Sequence, residues 1–195
     1  MAISWLEQSL ALCQQWDIRD GLPMHLTRLG YAYALAGRLA EALPLLEQAV
    51  AQSASMKALY GHAMRCARLS QGYLLAGRLG EARVEAQRAF EFARTHKEQS
   101  AQAWVLHLLG DLAAHDTPAH TESVTASYQQ ALALAEALGM RPLCARCHLS
   151  LGIFHYQHAS PDPARIALST AVTMFRAMEM RLWLSQAEAA LAQIE

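Results

Sequence analysis

Two cysteines and a histidine stand together in Cys144-Ala-Arg-Cys147-His148, and His155 and His158 follow. Thiolate and imidazole are ligands of zinc, and C-x-x-C-H is the spacing at which haem is attached covalently. At 100° per residue all five side chains fall within about a 100° arc of one helix. A metal site through Cys144, Cys147 and His148 is therefore the first chemistry to weigh. Length along the axis argues against it. His148 and His155 lie seven residues apart, about 10 Å, so one tetrahedral ion cannot take all five side chains. Cys144 with His148 makes half a site, and a second element must supply the rest. Covalent haem also belongs to exported proteins, and the opening MAISWLEQ lacks a basic region followed by an apolar run. The expectation is that His148 and His155 are half-buried packing residues with one ring nitrogen satisfied. No metal and no cofactor is expected.

Other chemistries lack their residues. No Gly-rich phosphate loop, Gly-x-Ser-x-Gly elbow or His-Glu-x-x-His stretch occurs. No catalytic residue is assigned, and the chain is not expected to be an enzyme. Glu81, Glu85 and Glu91 stand beside Arg83 and Arg88, the pattern of a solvated helix face. Sixteen basic and seventeen acidic side chains leave a net charge of −1, which gives no footprint for nucleic acid or anionic lipid. No stretch approaches the roughly 20 apolar residues that span a bilayer. Cys13, Cys66, Cys144 and Cys147 are too few and too scattered for a secreted disulfide framework. The expected location is cytoplasmic.

The elements that must position these residues are visible as repeats. Ala36-Gly-Arg-Leu-Ala-Glu-Ala42 returns as Ala76-Gly-Arg-Leu-Gly-Glu-Ala82. An anchor pair of leucine and a small residue recurs as Leu29-Gly30, Leu69-Ser70, Leu109-Gly110 and Leu151-Gly152, with spacings of 40, 40 and 42. Alanines recur at Ala42, Ala82 and Ala164, with Ser123 near that column, and again at Ala49, Ala89, Ala131 and Ala171. Two extra residues near Thr117-Pro118 account for the single 42. A period of this length marks a helical solenoid, in which each repeat contacts only its neighbours. First helices are expected at 22–36, 56–76, 98–115, 141–158 and 181–194. Second helices are expected at 3–16, 39–53, 79–95, 120–138 and 162–178. Gly37, Gly77 and Gly139 supply left-handed helix ends, and Ser160-Pro161 supplies an N-cap with proline at the first helical position. One domain, 1–195, then comprises a half repeat at 1–20, repeats at 21–55, 56–97, 98–139 and 140–179, and a capping helix at 180–195.

These columns resemble the tetratricopeptide (TPR) repeat, whose first helix carries Leu-Gly and then an aromatic, and whose second carries alanines and a large residue. Tyr33, Tyr73 and His155 stand in the aromatic slot, where Ala113 departs. Leu46, Tyr128 and Leu168 fill the large-residue column, where Ala86 departs. The usual period is about 34, so the extra residues are expected to lengthen the passage from each second helix to the next first helix. Ala54 and Arg94 stand where the closing proline usually lies. Leu138-Gly-Met-Arg-Pro-Leu143, Cys147-His-Leu-Ser-Leu-Gly152 and Met178-Glu-Met-Arg-Leu-Trp183 followed by Gln186-Ala-Glu-Ala189 carry a narrower resemblance. They are similar to the C-terminal repeat tail of bacterial adenylate or guanylate cyclase-like and regulatory-ATPase signalling proteins.

The resemblance implies an all-α, right-handed α-α superhelix of four full hairpin repeats with a half repeat at each end. It implies a non-catalytic interaction or sensory module whose first helices hold a polypeptide, or other domains of the same parent protein. The alternative is a small molecule in the same groove. By register the groove residues are Met24, Thr27, Tyr31, Met64, Ala67, Gln71, Trp104, His107, Asp111, Arg146, Leu149, Ile153 and Tyr156. The helix near 3–16 has no first helix of its own, so Trp5, Leu6, Leu10, Leu12 and Trp16 include uncovered apolar positions. Self-association as a homodimer through this helix is expected.

Overall fold

The computed structural model describes residues 2–56, 60–115 and 121–194, and all regular structure among them is helical. The helices are α1 (Ala2–Gln15), α2 (Leu22–Leu35), α3 (Leu39–Ser55), α4 (His62–Leu75), α5 (Leu79–Thr95), α6 (Gln99–Ala113), α7 (Thr121–Ala137), α8 (Arg141–Gln157), α9 (Pro161–Ala177) and α10 (Arg181–Leu191). They fall into two compact units, residues 1–101 and 102–195. Consecutive helices pair as hairpins within each unit.

Most helix ends lie within a residue or two of those expected. The exceptions are α10, which ends at Leu191 rather than near 194, and α4, which begins at His62 rather than near 56, because Gly61 takes φ 73° and stops any helix from running through it. The hairpin turns close as foreseen. Gly37 (φ 76°) and Gly77 (φ 73°) let Arg38 and Arg78 donate their N–H groups to the carbonyls of Tyr33 and Tyr73 at 2.9 Å. That is the Schellman geometry, which satisfies carbonyls orphaned at a helix end. Gly139 (φ 65°) closes α7 in the same way. Ala159 takes this left-handed place after α8 with φ 55°, without glycine's freedom. Ser160 stands at the N-cap of α9, but its hydroxyl makes no cap bond there.

Two expectations of register are corrected. Only residues 96–98, 138–140 and 178–180 separate α5 from α6, α7 from α8 and α9 from α10. At these three places the long period resides in 17-residue helices such as α5, α7 and α9, whereas α3 ends at Ser55 and α4 begins at His62, so that passage is longer, as expected. In α7, Ser123 is exposed and Val124 occupies the buried column, 2% exposed. Val124 is 42 residues after Ala82 and 40 before Ala164, so it is the true equivalent. The Thr117-Pro118 insertion itself lies outside the described residues.

The cores follow the repeat columns. Ala42, Ala82, Ala164, Ala49, Ala89, Ala131 and Ala171 are all fully buried. Their small side chains let helix axes approach closely. At the anchor, a Cβ on Gly30 would stand 2.9 Å from Leu46 Cγ, one on Gly110 2.6 Å from the Tyr128 ring, and one on Gly152 2.6 Å from Leu168 Cγ. Each glycine thus makes room for the large residue of the next helix. In the second hairpin both partners change together. Ser70 replaces glycine and Ala86 replaces the large residue, and both are fully buried. The Ser70 hydroxyl donates to the Ala82 carbonyl at 2.6 Å. The two departures seen in sequence are one exchange of volume across a contact.

A second device recurs in residues 1–101. The Tyr33 hydroxyl donates to Glu7 at 2.6 Å, and the Tyr73 hydroxyl to Glu47 at 2.9 Å. Each tyrosine so ties its hairpin to the helix before it. Arg38 lies 4.0 Å over the Tyr33 ring and is paired with Glu41; Arg78 lies 4.4 Å over Tyr73 and is paired with Glu81. Burial and the Glu47 carboxylate push the Tyr73 phenol up to about 12. The third position, Ala113, has no ring to offer.

Candidate functional site

In residues 1–101 the first-helix face comes from α2 and α4. Met24 is exposed, Tyr31 and Met64 are half-buried, and Ala67 and Gln71 are buried. The Thr27 hydroxyl is satisfied within α2, donating to the Pro23 carbonyl at 2.6 Å. The residue that organises this face is one the sequence reasoning missed. Arg68 of α4 lies 4.0 Å over the Tyr31 ring of α2 and donates to Gln71 Oε1 at 2.6 Å. A guanidinium held flat on a ring loses little further freedom when it meets a carboxylate. The only signal in sequence is that Arg28 occupies the same column one repeat earlier.

In residues 102–195 the corresponding face comes from α6, α8 and α10. Asp111 is its polar centre. Its Oδ1 accepts the Tyr128 hydroxyl at 2.9 Å and the Ser150 hydroxyl at 3.3 Å, and its Oδ2 lies 3.3 Å from His107 Nδ1. Burial alone would raise the Asp111 pKa. The His107 ring, the Arg146 charge and the Tyr128 hydroxyl outweigh it and hold the carboxyl below the usual range. Burial, and then the charge and hydrogen bond of Asp111, push the Tyr128 phenol far up. His107 is fully buried, with Nε2 3.1 Å from Ser150 Oγ. Arg146, 8% exposed, lies 3.7 Å over the Trp183 ring. Leu149 is buried, Trp104 and Ile153 are half-buried, and Tyr156 is exposed. Of the groove residues expected from register, Ala67, Gln71, His107, Arg146 and Leu149 are therefore buried. Ala67, His107 and Leu149 share one column, and at those three positions it meets neighbouring helices rather than solvent.

Ser150, His107 and Asp111 have the residue types of a nucleophile, a base and its orienting group. The arrangement does not fit that chemistry. The Ser150 hydroxyl bonds Asp111 directly as well as His107, and His107 Nδ1 forms no well-aligned hydrogen bond. Ser150 also lies inside α8. The neighbouring backbone N–H groups serve the helix and cannot form an oxyanion hole. The cluster reads as a lock between α6, α7 and α8.

Cys144 and Cys147 are buried among Ala103, Ala131, Ala135 and Leu143. Burial raises both thiols, Cys147 to about 12. A thiol must lose its proton to ligate a metal. Burial likewise depresses the His148 and His155 rings. Both rings are half-buried, as expected of packing residues. His158 packs on Phe154, ring centroids 4.1 Å apart, with Nδ1 2.9 Å from the Phe154 carbonyl. Among the described residues no three His, Cys, Asp or Glu side chains converge as a metal site.

On α5, Glu81 pairs with Arg78 and Glu91 accepts from Gln87 at 2.8 Å. Glu85 departs from the solvated pattern. Its side chain is 15% exposed, and it turns toward the buried Cys66, whose thiol burial and this carboxylate push to about 12. A shallow depression lined by Arg83, Val84, Gln87, Arg88 and Glu91 lies wholly on α5, and one helix cannot converge groups around a substrate. On α1, Leu10 is buried and Leu6 half-buried against α2. Those two are core residues of the first hairpin, whereas Trp5, Leu12 and Trp16 stay exposed.

No family model and no curated protein matches this chain in sequence. Among solved structures the class is that of TPR-like helical repeats. BtubC (BKLC) from P. vanneervenii superposes with a TM-score of 0.73 at 16% identity, over 99% of this chain and 81% of that one. Aspartyl phosphate phosphatase F from Bacillus subtilis gives 0.71 at 15% identity over 90% of this chain, which spans only 46% of the phosphatase. The TPR-like repeats of a putative kinesin light chain from Podosopora anserina give 0.58 at 17% identity, covering 91% and 87%. At these identities the likeness is one of fold. No helix among the described residues is long and apolar enough to cross a membrane.

Proposed function

We propose that this chain is a non-catalytic interaction module whose first helices hold a polypeptide segment bearing carboxylate and apolar side chains. One observation carries the reading: each unit presents a guanidinium stacked on an aromatic ring of a neighbouring first helix, Arg68 on Tyr31 and Arg146 on Trp183. Met24 and Met64 lie on the helices of the first pair, α2 and α4, and Tyr156 on the helix of Arg146, α8, and soft or aromatic side chains adapt to varied apolar partners. Asp111 beside Arg146 offsets part of the charge, so the pair suits one carboxylate in an otherwise apolar segment.

Under this proposal the hairpins at 21–55, 56–97, 98–139 and 140–179, flanked by 1–20 and 180–195, form the repeat region of a larger cytoplasmic bacterial signalling protein. The region is regulatory, and chemistry resides elsewhere in the parent. Fluorescence anisotropy against an array of labelled 15-residue peptides tests the reading. Peptides pairing an acidic residue with leucine or phenylalanine are expected to bind. Arg68→Ala should weaken peptides held by residues 1–101, and Arg146→Ala those held by residues 102–195, each about tenfold, about 1.4 kcal/mol, with unchanged circular dichroism. Equal binding by wild type and both variants would remove the basis of the proposal. A metabolite that raises the melting temperature where no peptide does would favour the small-molecule alternative.

A further inference from the structure

We infer that the outer face of α1 is a self-complementary interface that joins two copies of this chain about a two-fold axis. Trp5, Leu12 and Trp16 are 70%, 54% and 72% exposed, and Ile18, just beyond, is 52% exposed. At 100° per residue positions 5, 12 and 16 fall within about 40° of one another. The Trp16 N–H still donates to the Leu12 carbonyl at 3.0 Å, so the stripe is continuous to that residue. The other side of α1 is occupied: Ile3, Leu6 and Leu10 pack on α2, and the Cys13 thiol donates to the Ile18 carbonyl at 3.1 Å. Two apolar faces on one helix require two partners, and α2 is only one.

The stripe selects a second copy through its own symmetry. When α1 packs antiparallel on a second α1, positions that sum to 21 face each other. Trp5 meets Trp16 of the other copy, and Leu12 meets Ser9. Ser9 is half-buried, and its hydroxyl is already held 2.9 Å from His25 Nδ1. It therefore offers a small surface with no unmet polar group to the opposing leucine. Charge does not oppose the pairing, because Glu7 is the one charged residue of α1 and is bound to the Tyr33 hydroxyl. The four side chains expose roughly 500 Å² of apolar surface. Two copies together bury about 1,000 Å², the lower limit of a specific interface. Such a contact is isologous and closes as a dimer.

Sedimentation equilibrium of the intact chain at 1–100 µM tests this. A reversible dimer is expected. Trp5→Glu and Trp16→Glu should each yield a monomer with unchanged helical circular dichroism. Trp5→Lys combined with Trp16→Glu places opposite charges face to face twice, so it should associate at least tenfold more tightly than Trp5→Glu combined with Trp16→Glu. A wild-type monomer at 100 µM would overturn the inference and leave the stripe to a different helix. So would a dimer that survives Trp5→Glu, or two double variants that behave alike. Peptide binding at the first-helix face is measured on other residues, so the two proposals stand or fall separately.

Discussion

Converting the Gly30–Leu46 contact into the Ser–Ala pair of the second hairpin probes the packing logic directly. The Gly30→Ser substitution puts a Cβ 2.9 Å from Leu46 Cγ and 3.1 Å from the Ala42 carbonyl. Overpacking of this kind costs about 1–3 kcal/mol. Leu46→Ala empties a fully buried site, at about 2–5 kcal/mol. The upper half of that range is expected. The Leu46 side chain also fills the space beside Gly72, where an added Cβ would stand 2.8 Å from Leu46 Cδ1. In the double variant the clash disappears, and the new hydroxyl can donate to the Ala42 carbonyl as Ser70 does to Ala82. That bond contributes about 1 kcal/mol. The double variant should therefore cost less than the sum of the singles by about 1–3 kcal/mol. Urea unfolding followed by far-UV circular dichroism measures this, provided the m-value stays constant across the four proteins. Additive costs, within about 0.5 kcal/mol, would refute the exchange of volume between anchor and column.

Two further outcomes follow from backbone and titration. Ala159 holds a left-handed conformation that glycine adopts freely, so Ala159→Gly should raise stability by about 0.5–1 kcal/mol, and Gly77→Ala, at φ 73°, should lower it by at least as much; equal urea midpoints for all three proteins would contradict this. His62 is depressed by burial, then by Arg88, Arg65 and His96, while its Nδ1 lies 2.7 Å from Ser53 Oγ. Its neutral form stabilises the fold fully above the unfolded value near 6.5, and this is lost as pH falls below that value until the folded pKa is reached. His148 and His155, depressed by the same first cause, act with the same sign. Melting temperature should fall between pH 7 and pH 5, less steeply in His62→Gln; a flat profile would be the contrary result.

Much of the fold was legible because close packing writes itself into residue size. The anchor glycines and the alanine columns recur at fixed spacing since any larger side chain there would collide with a facing helix. Where size was ambiguous the register slipped. Serine and alanine are similarly small, so Ser123 was aligned where Val124 is the buried residue. The late start of α4 depends on the positive φ of Gly61, and glycine alone does not announce which sign it takes. The polar contacts of the site were the least legible. Arg68 over Tyr31 and Arg146 over Trp183 each join residues 37 apart, a shared spacing hidden because the aromatic comes first in one pair and the arginine in the other, and the Asp111 lock draws its partners from three helices. Each ring lies on a different first helix from its arginine, and only the folded chain brings it beneath the guanidinium.

The paired Tyr33–Glu7 and Tyr73–Glu47 bonds have a mechanical consequence. Each runs from a first helix back across 26 residues to the helix before it, always in the same sense. A pull that separates neighbouring hairpins in residues 1–101 therefore loads a hydroxyl–carboxylate bond at each junction in turn, like stitches along a seam. Being partly exposed, each stitch can open to water and reclose without disturbing the alanine columns beneath it. That half of the chain can thus yield to load in small recoverable steps. The Asp111 lock is built otherwise: one carboxylate gathers Tyr128, Ser150 and the fully buried His107 from three helices, so its contacts should open together in a single larger rupture.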